Sequence, residues 1–207
     1  FDKTPITCYR LKETSILNLI TVLWMLIIAC ITPKPKQETA FPDEVEVIEC
    51  GYDIGEYACN ISSFDQNNNE IDLWDYKGKT ILLDFSTMWC YYCNVAAMDE
   101  NTLLEEYKDH DLVWITVLIQ DKNGDKPSHS DLKAWSSQFN LKDPVLSGDV
   151  SMLDFEDDEI NTGYKCGGYP TFVLIDKDMI INQYLFGWSS TMIREILDSH
   201  FNTREIE

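Results

Sequence analysis

The segment Thr80-Ile81-Leu82-Leu83-Asp84-Phe85-Ser86 is apolar on both sides of an extended chain, Asp84 excepted. It leads through Thr87-Met88-Trp89 into Cys90-Tyr91-Tyr92-Cys93. A strand buried on both faces belongs to a sheet that is covered on each side. Beyond it, Ala96, Leu103, Leu104 and Tyr107 repeat at helical spacing, which predicts a helix from about Cys90 to Tyr107. The two cysteines therefore stand where a buried strand gives way to a helix. Free N–H groups and the helix dipole favour negative charge there, which suits a thiolate at Cys90. Cys93 lies one turn on, on the same face, so the pair can close a disulfide within a turn. The chemistry open to such a pair is exchange. Cys90 attacks a target disulfide, and Cys93 then attacks Cys90 and releases the reduced target. The same steps run backwards oxidise a dithiol.

The rest of the chain supplies a sheet around this strand. Ile61–Phe64 and Glu70–Leu73 flank Gln66-Asn67-Asn68-Asn69 and predict a hairpin. Leu112–Ile119 reads as a second buried strand, Asp131–Phe139 as a helix and Val145–Ser147 as a short strand. Thr171–Ile175 turns at Asp176-Lys177-Asp178 into a returning strand, Ile180–Phe186. Ser190 is placed to cap a last helix carrying Met192, Ile193, Ile196, Leu197 and Phe201. Strands alternating with helices, then a hairpin and a terminal helix, indicate an α/β fold with a mixed sheet.

Bulk properties narrow the function classes. The 16 Lys and Arg against 36 Asp and Glu leave a net charge of -20, which repels nucleic-acid phosphates. Seven cysteines are many for a cytosolic chain of 207 residues and ordinary in an oxidising compartment. Lys3, Arg10 and Lys12 precede an apolar stretch from Ile16 to Ile31, the pattern of an export signal. Residues 1–30 are read as that signal or a membrane anchor, 31–46 as a flexible tether carrying Pro33 and Pro35, and 47–207 as the folded domain. Cys8 falls in the signal. One structural disulfide is expected among Cys50, Cys59 and Cys166, either Cys50–Cys59 or one of these with Cys166. There is no second C-x-x-C, and His110, His129 and His200 show no metal spacing, so neither a metal nor a cofactor is expected. Asp121-Lys122-Asn123-Gly124-Asp125 lacks the ligand series of a calcium loop and reads as a polar turn, and Glu156–Glu159 as a solvated face.

Leu82 through Cys90 resembles the strand-to-active-site segment of the thioredoxin family, with Asp84 where that family carries a buried acid. Gly168-Tyr169-Pro170-Thr171, just before a strand, resembles the family's cis-proline element. The resemblance extends over about Cys59 to Phe201. Within the family the chain is most similar to the membrane-anchored TlpA/ResA-like branch of the redoxin, AhpC/TSA type. It implies a thioredoxin-like fold, a mixed central sheet flanked by helices, with an N-terminal hairpin. It implies Cys90, Cys93 and Asp84 as catalytic residues, with Asp84 exchanging the proton of Cys93. Trp89, Tyr169 and Pro170 would hold the substrate. Leu26-Ile27-Ile28-Ala29-Cys30 resembles a bacterial lipoprotein signal, which implies lipid attachment at Cys30. The implied setting is the extracytoplasmic side of a bacterial membrane, periplasmic or at the cell surface, and the implied partners are thiols and disulfides of client proteins and a redox partner. Tyr91-Tyr92 departs from the Gly-Pro of thioredoxins, and this dipeptide tunes potential, so reductant, isomerase and oxidant all stay open.

Two other functions fit the same residues. A thiol peroxidase of the peroxiredoxin type shares the fold and has a threonine three before its cysteine, as Thr87 is before Cys90, but Leu83 stands where that motif has proline. A binding module with a fixed Cys90–Cys93 bond is the other.

Overall fold

The computed structural model describes residues 49–155 and 162–204, within a compact unit running Val47–Glu207. The signal, tether, Cys8, Cys30 and the Glu156–Glu159 run lie outside the described residues. Strands β1 (Ser62–Phe64) and β2 (Glu70–Asp72) form the expected antiparallel hairpin. A 3-10 turn, Leu73–Tyr76, leads to β3 (Thr80–Thr87) and then α1 (Tyr91–Glu106). Next come β4 (Leu112–Gln120), α2 (His129–Phe139) and β5 (Val145–Ser147). The short strands β6 (Leu153–Asp154) and β7 (Tyr164–Lys165) pair with each other. The chain closes with β8 (Thr171–Ile175), β9 (Ile181–Phe186) and α3 (Ser190–Arg204).

The main sheet has the order β5-β4-β3-β8-β9. β3 runs parallel to β4 and antiparallel to β8, which places it at the centre of a mixed sheet. Alternation along β3 sorts its side chains. Ile81, Leu83 and Phe85 join one core with Ile115, Val117, Val173 and Ile175, covered by Ala58, Ile61, Leu73 and Tyr164. Leu82 points the other way and packs with Trp114, Phe172, Ala96 and Leu103 of α1 and Ile193 and Leu197 of α3. Asp84 is two residues on from Leu82, so it faces the helices too. Each fully buried Leu, Ile or Phe contributes roughly 1.5–3 kcal/mol, so the two cores together fix β3 in register.

Two local readings are corrected. Helix α3 is capped by Ser189, whose Oγ accepts from the Met192 amide, while Ser190 is already helical and its Oγ engages Arg194. Helix α2 starts two residues earlier than expected, because the Asp131 carboxylate reaches back to the Ser128 amide at 2.9 Å. Gln66 stands in the hairpin turn as expected. It is buried, its side-chain oxygen accepts from the Val145 amide and its side-chain nitrogen donates to the Asp143 carbonyl, which ties the hairpin to β5. The Asp121–Asp125 segment is a polar turn, with Asp121 Oδ1 accepting from the Asn123 and Asp125 amides.

Candidate active site

Cys90 occupies the N-cap of α1 and is 8% exposed. Its Sγ accepts from the Cys93 amide at 3.3 Å, one of the helix N–H groups that have no carbonyl partner of their own. Asn94, one turn in, fixes this corner by donating from Nδ2 to the Cys90 carbonyl at 2.7 Å and the Met88 carbonyl at 3.3 Å. Cys93 is fully buried among Ala97, Leu118 and Trp135. Both thiols are free, so the structure is that of the reduced dithiol. Burial pushes the Cys93 thiol strongly up, and the nearby Asp84 charge adds to it. The two cysteines are thus unequal: one keeps a slight exposure at a helix start, and the other is held as a thiol inside.

Asp84 is 1% exposed, on the central strand opposite Thr116 and Phe172. Burial raises its carboxyl to about 7, and hydrogen bonds with Ser86, Trp114 and Thr116 counter that rise. Ser86 Oγ donates to Oδ1 at 2.7 Å and Trp114 Nε1 to Oδ2 at 3.3 Å. Neutral donors from its own strand and from β4 receive the buried carboxyl. Such donors let the acid survive burial while leaving it able to titrate near neutrality.

The loop before β8 lies against the dithiol. The Tyr169–Pro170 peptide bond is cis, and the Cys90 Sγ donates to the Tyr169 carbonyl at 3.4 Å. Gly168 has φ +143, a backbone conformation that side chains beyond glycine rarely adopt. The Tyr169 ring meets Trp89 and Phe155 edge-on. Trp89 is about half exposed, as are Tyr92 and Phe155, and Tyr91 more so. Trp89 donates from Nε1 to Gln120 Oε1 at 3.0 Å, which anchors one edge of the ring to the end of β4. Asn94, Gln120 and Phe155 were not singled out in sequence. Asn94 had a signal in its place one residue after Cys93, whereas the other two join the site only through folding.

The remaining cysteines are resolved. Cys50 and Cys59 form a disulfide, and Cys166 is free. The Cys166 alternatives are excluded: its sulfur is buried behind the Pro170 loop, accepting from Thr171 Oγ1 at 3.5 Å. Among the described residues no group of three or more His, Cys, Asp or Glu is arranged to hold a metal ion.

A dithiol at a strand-to-helix junction, a buried acid behind it and an X-Pro loop across it define an oxidoreductase of the thioredoxin class. The chain belongs to the AhpC/TSA family, whose model matches residues 54–184. It is 28% identical over 150 residues to the thiol-disulfide oxidoreductase ResA of Geobacillus kaustophilus, covering 72% of this chain and 77% of that protein. Identity to ResA of Bacillus cereus is 32% over 134 residues, covering 65% and 70%. Its structure is similar to the thioredoxin domain of a thiol-disulfide oxidoreductase from Bacteroides vulgatus, with 20% identity, 75% and 97% coverage and a TM-score of 0.50. It is also similar to a reduced 2-Cys peroxiredoxin of Plasmodium vivax, with 19% identity, 73% and 98% coverage and a TM-score of 0.54. At these identities the structural likeness concerns the fold alone.

Proposed function

We propose that the chain exchanges disulfides with client proteins outside the cytosol, through Cys90 as the attacking thiol and Cys93 as the resolving one. The single observation that carries this reading is the asymmetry of the two sulfurs. Cys90 keeps a slight exposure of 8% at the helix start, its Sγ accepting from the Cys93 amide, whereas Cys93 is fully buried in the neighbourhood of Asp84. A target disulfide reaches only Cys90. Once the mixed disulfide forms, Cys93 gives its proton to the Asp84 carboxylate and attacks Cys90. The target then leaves as a thiolate.

Trp89, Tyr169 and Pro170 hold the client beside Cys90, with Trp89 and Tyr169 offering aromatic surface. The closed Cys50–Cys59 bond supports an oxidising setting, where such bonds persist. On this reading residues 1–30 export or anchor the chain, Cys30 carries a lipid and 31–46 tether the domain 47–207 to the membrane. No described helix is long and apolar enough to cross a membrane, and residues 16–31 lie outside the described ones.

The test is reduction of a protein disulfide by the pre-reduced chain, followed by thiol labelling. Wild type completes the exchange, and Cys90→Ser shows none. Exchange by Cys90→Ser at the wild-type rate overturns the reading. Rapid peroxide consumption that survives Cys93→Ser, without disulfide exchange, would point to a peroxidase instead.

A further inference from the structure

Glu100 lies on α1 two turns beyond Cys93, and the exchange chemistry as described makes no use of it. It is 1% exposed, on the helix face of Ala96, Ala97 and Leu103, which are themselves buried. Its Oε2 has no hydrogen-bond partner among the described residues. A buried carboxyl without a partner is costly, and natural cores seldom keep one without a function.

The surroundings indicate what that function is. The face that carries Glu100 packs on the sheet around Trp114 and Leu118. Trp114 joins two acids: its indole N–H donates to Asp84 Oδ2 at 3.3 Å and its backbone N–H to Asp143 Oδ2 at 3.0 Å. Asp143 and Asp84 are also the charged groups that act on Glu100. Helix α2 brings Trp135 to this core, its Nε1 likewise without a partner. Strands β4 and β8 contain no ionisable side chain. Helix α3 meets α1 through Arg194, which pairs with Asp99 and Glu106 at the rim. On α1 itself the buried titratable neighbour is Cys93.

We propose that Glu100 is a positioning residue for the dithiol, a second buried acid coupled to Asp84 around Trp114 that governs how the Cys93 proton is held. This rests on the disulfide-exchange reading of the site. Burial, with Asp143 and Asp84 adding to it, raises Glu100 to about 9, against about 7 for Asp84. Between pH values of about 7 and about 9 the two acids hold one negative charge, on Asp84, which is then available as the proton acceptor. During resolution the Cys93 proton moves to Asp84, the Cys93–Cys90 bond forms, the bond from Cys90 to the target breaks, and Glu100 keeps its own proton. At alkaline pH Glu100 releases its proton to solvent, and a second negative charge then acts on Asp84. The two carboxyls titrate as a pair.

The experiment is a carboxyl-carbon NMR titration of the full reduced chain, comparing wild type, Glu100→Gln and Glu100→Leu. In wild type the Asp84 signal shows two inflections, the second one following the ionisation of Glu100. Both variants lose the upper inflection and keep the lower. A purely structural Glu100 leaves the shape of the Asp84 curve unaltered. A single-step Asp84 curve common to all three proteins, or a Glu100 signal that titrates in the ordinary carboxylate range, overturns the proposal. The readout requires no turnover, so failure of the exchange assay and failure of the Glu100 coupling are seen separately.

Discussion

The Cys90 thiol donates to the carbonyl oxygen of Tyr169 at 3.4 Å, so the sulfur at the helix start and the loop ahead of Pro170 touch directly. A client that forms a mixed disulfide at Cys90 must lie along that loop. Trp89 and Tyr169 border it, in edge contact with each other. Trp89→Ala removes half-exposed aromatic surface without opening the core. The expected result is a several-fold rise in the KM for a protein disulfide, with unchanged thermal stability. Steady-state reduction assays check it, and an unchanged KM removes Trp89 from the client surface.

Cys93 has no exposure while Cys90 keeps a little, 8%, so the two serine variants behave differently. Cys90→Ser yields no mixed disulfide. Cys93→Ser accumulates one, because no second thiol can release the target. Non-reducing electrophoresis with an excess of protein disulfide distinguishes them. Mixed disulfides of equal yield in both variants overturn the assignment of roles.

Asp84 accepts the Cys93 proton only when it is ionised, and its carboxyl is raised to about 7 by burial. Resolution of the mixed disulfide therefore speeds up as pH rises through about 7. Asp84→Asn flattens that dependence and slows resolution on the order of 100-fold, the scale of a lost general base. The fold stays intact, since asparagine keeps the shape. Stopped-flow measurement across pH 5 to 9 is the check, with a wild-type-like profile in the variant as the disproof.

The buried acids also set how stability depends on pH. Asp84 ionises from an ordinary value of 3.8 in the unfolded chain and at about 7 in the folded one. Between those values the folded state binds more protons, so stability falls as pH rises through that window and levels off above it. Glu100 extends the decline toward about 9. Asp84→Asn combined with Glu100→Gln gains on the order of a few kcal/mol over wild type at alkaline pH and little near pH 4. Urea denaturation at both pH values measures this, and an equal gain at both rules out the linkage.

The Cys50–Cys59 bond closes a short loop, with a sequence separation of 9. Constraint of the unfolded chain over such a loop contributes about 2.5–3 kcal/mol. The double variant Cys50→Ser/Cys59→Ser is expected to lose that stability and keep exchange activity, because neither residue belongs to the dithiol site. Denaturation and disulfide-reduction assays run in parallel check both halves.

The residues of the dithiol were legible in the sequence because their signal is local. A two-sided apolar strand, two cysteines three apart and a helical repeat after them follow from spacing alone. The two-sided apolar character of Thr80–Ser86 also put Asp84 within a buried strand. What surrounds Asp84 was not legible. Its donor Trp114 sits thirty residues away on another strand, and only the parallel register of β3 and β4 brings the indole to the carboxyl. The bonds of Gln66 were not legible for the same reason: the residue stands in a turn, and only β5 brings the amide from which it accepts. Cys50, Cys59 and Cys166 were candidates of equal standing, and the choice among them depended on Cα separation, 4.8 Å for the bonded pair. Glu100 lies on the helical stripe of Ala96, Leu103 and Leu104, but a carboxylate there was not singled out in sequence. Its burial is a consequence of α1 lying on the sheet at Trp114, with Asp143 held on the other side of the same residue. The sequence by itself determined which atoms stand ready for the proposed exchange, since the two cysteines and the buried strand before them are set by neighbours along the chain. The tertiary structure decided the electrostatics of those atoms, because charge and desolvation act through space between elements far apart in sequence.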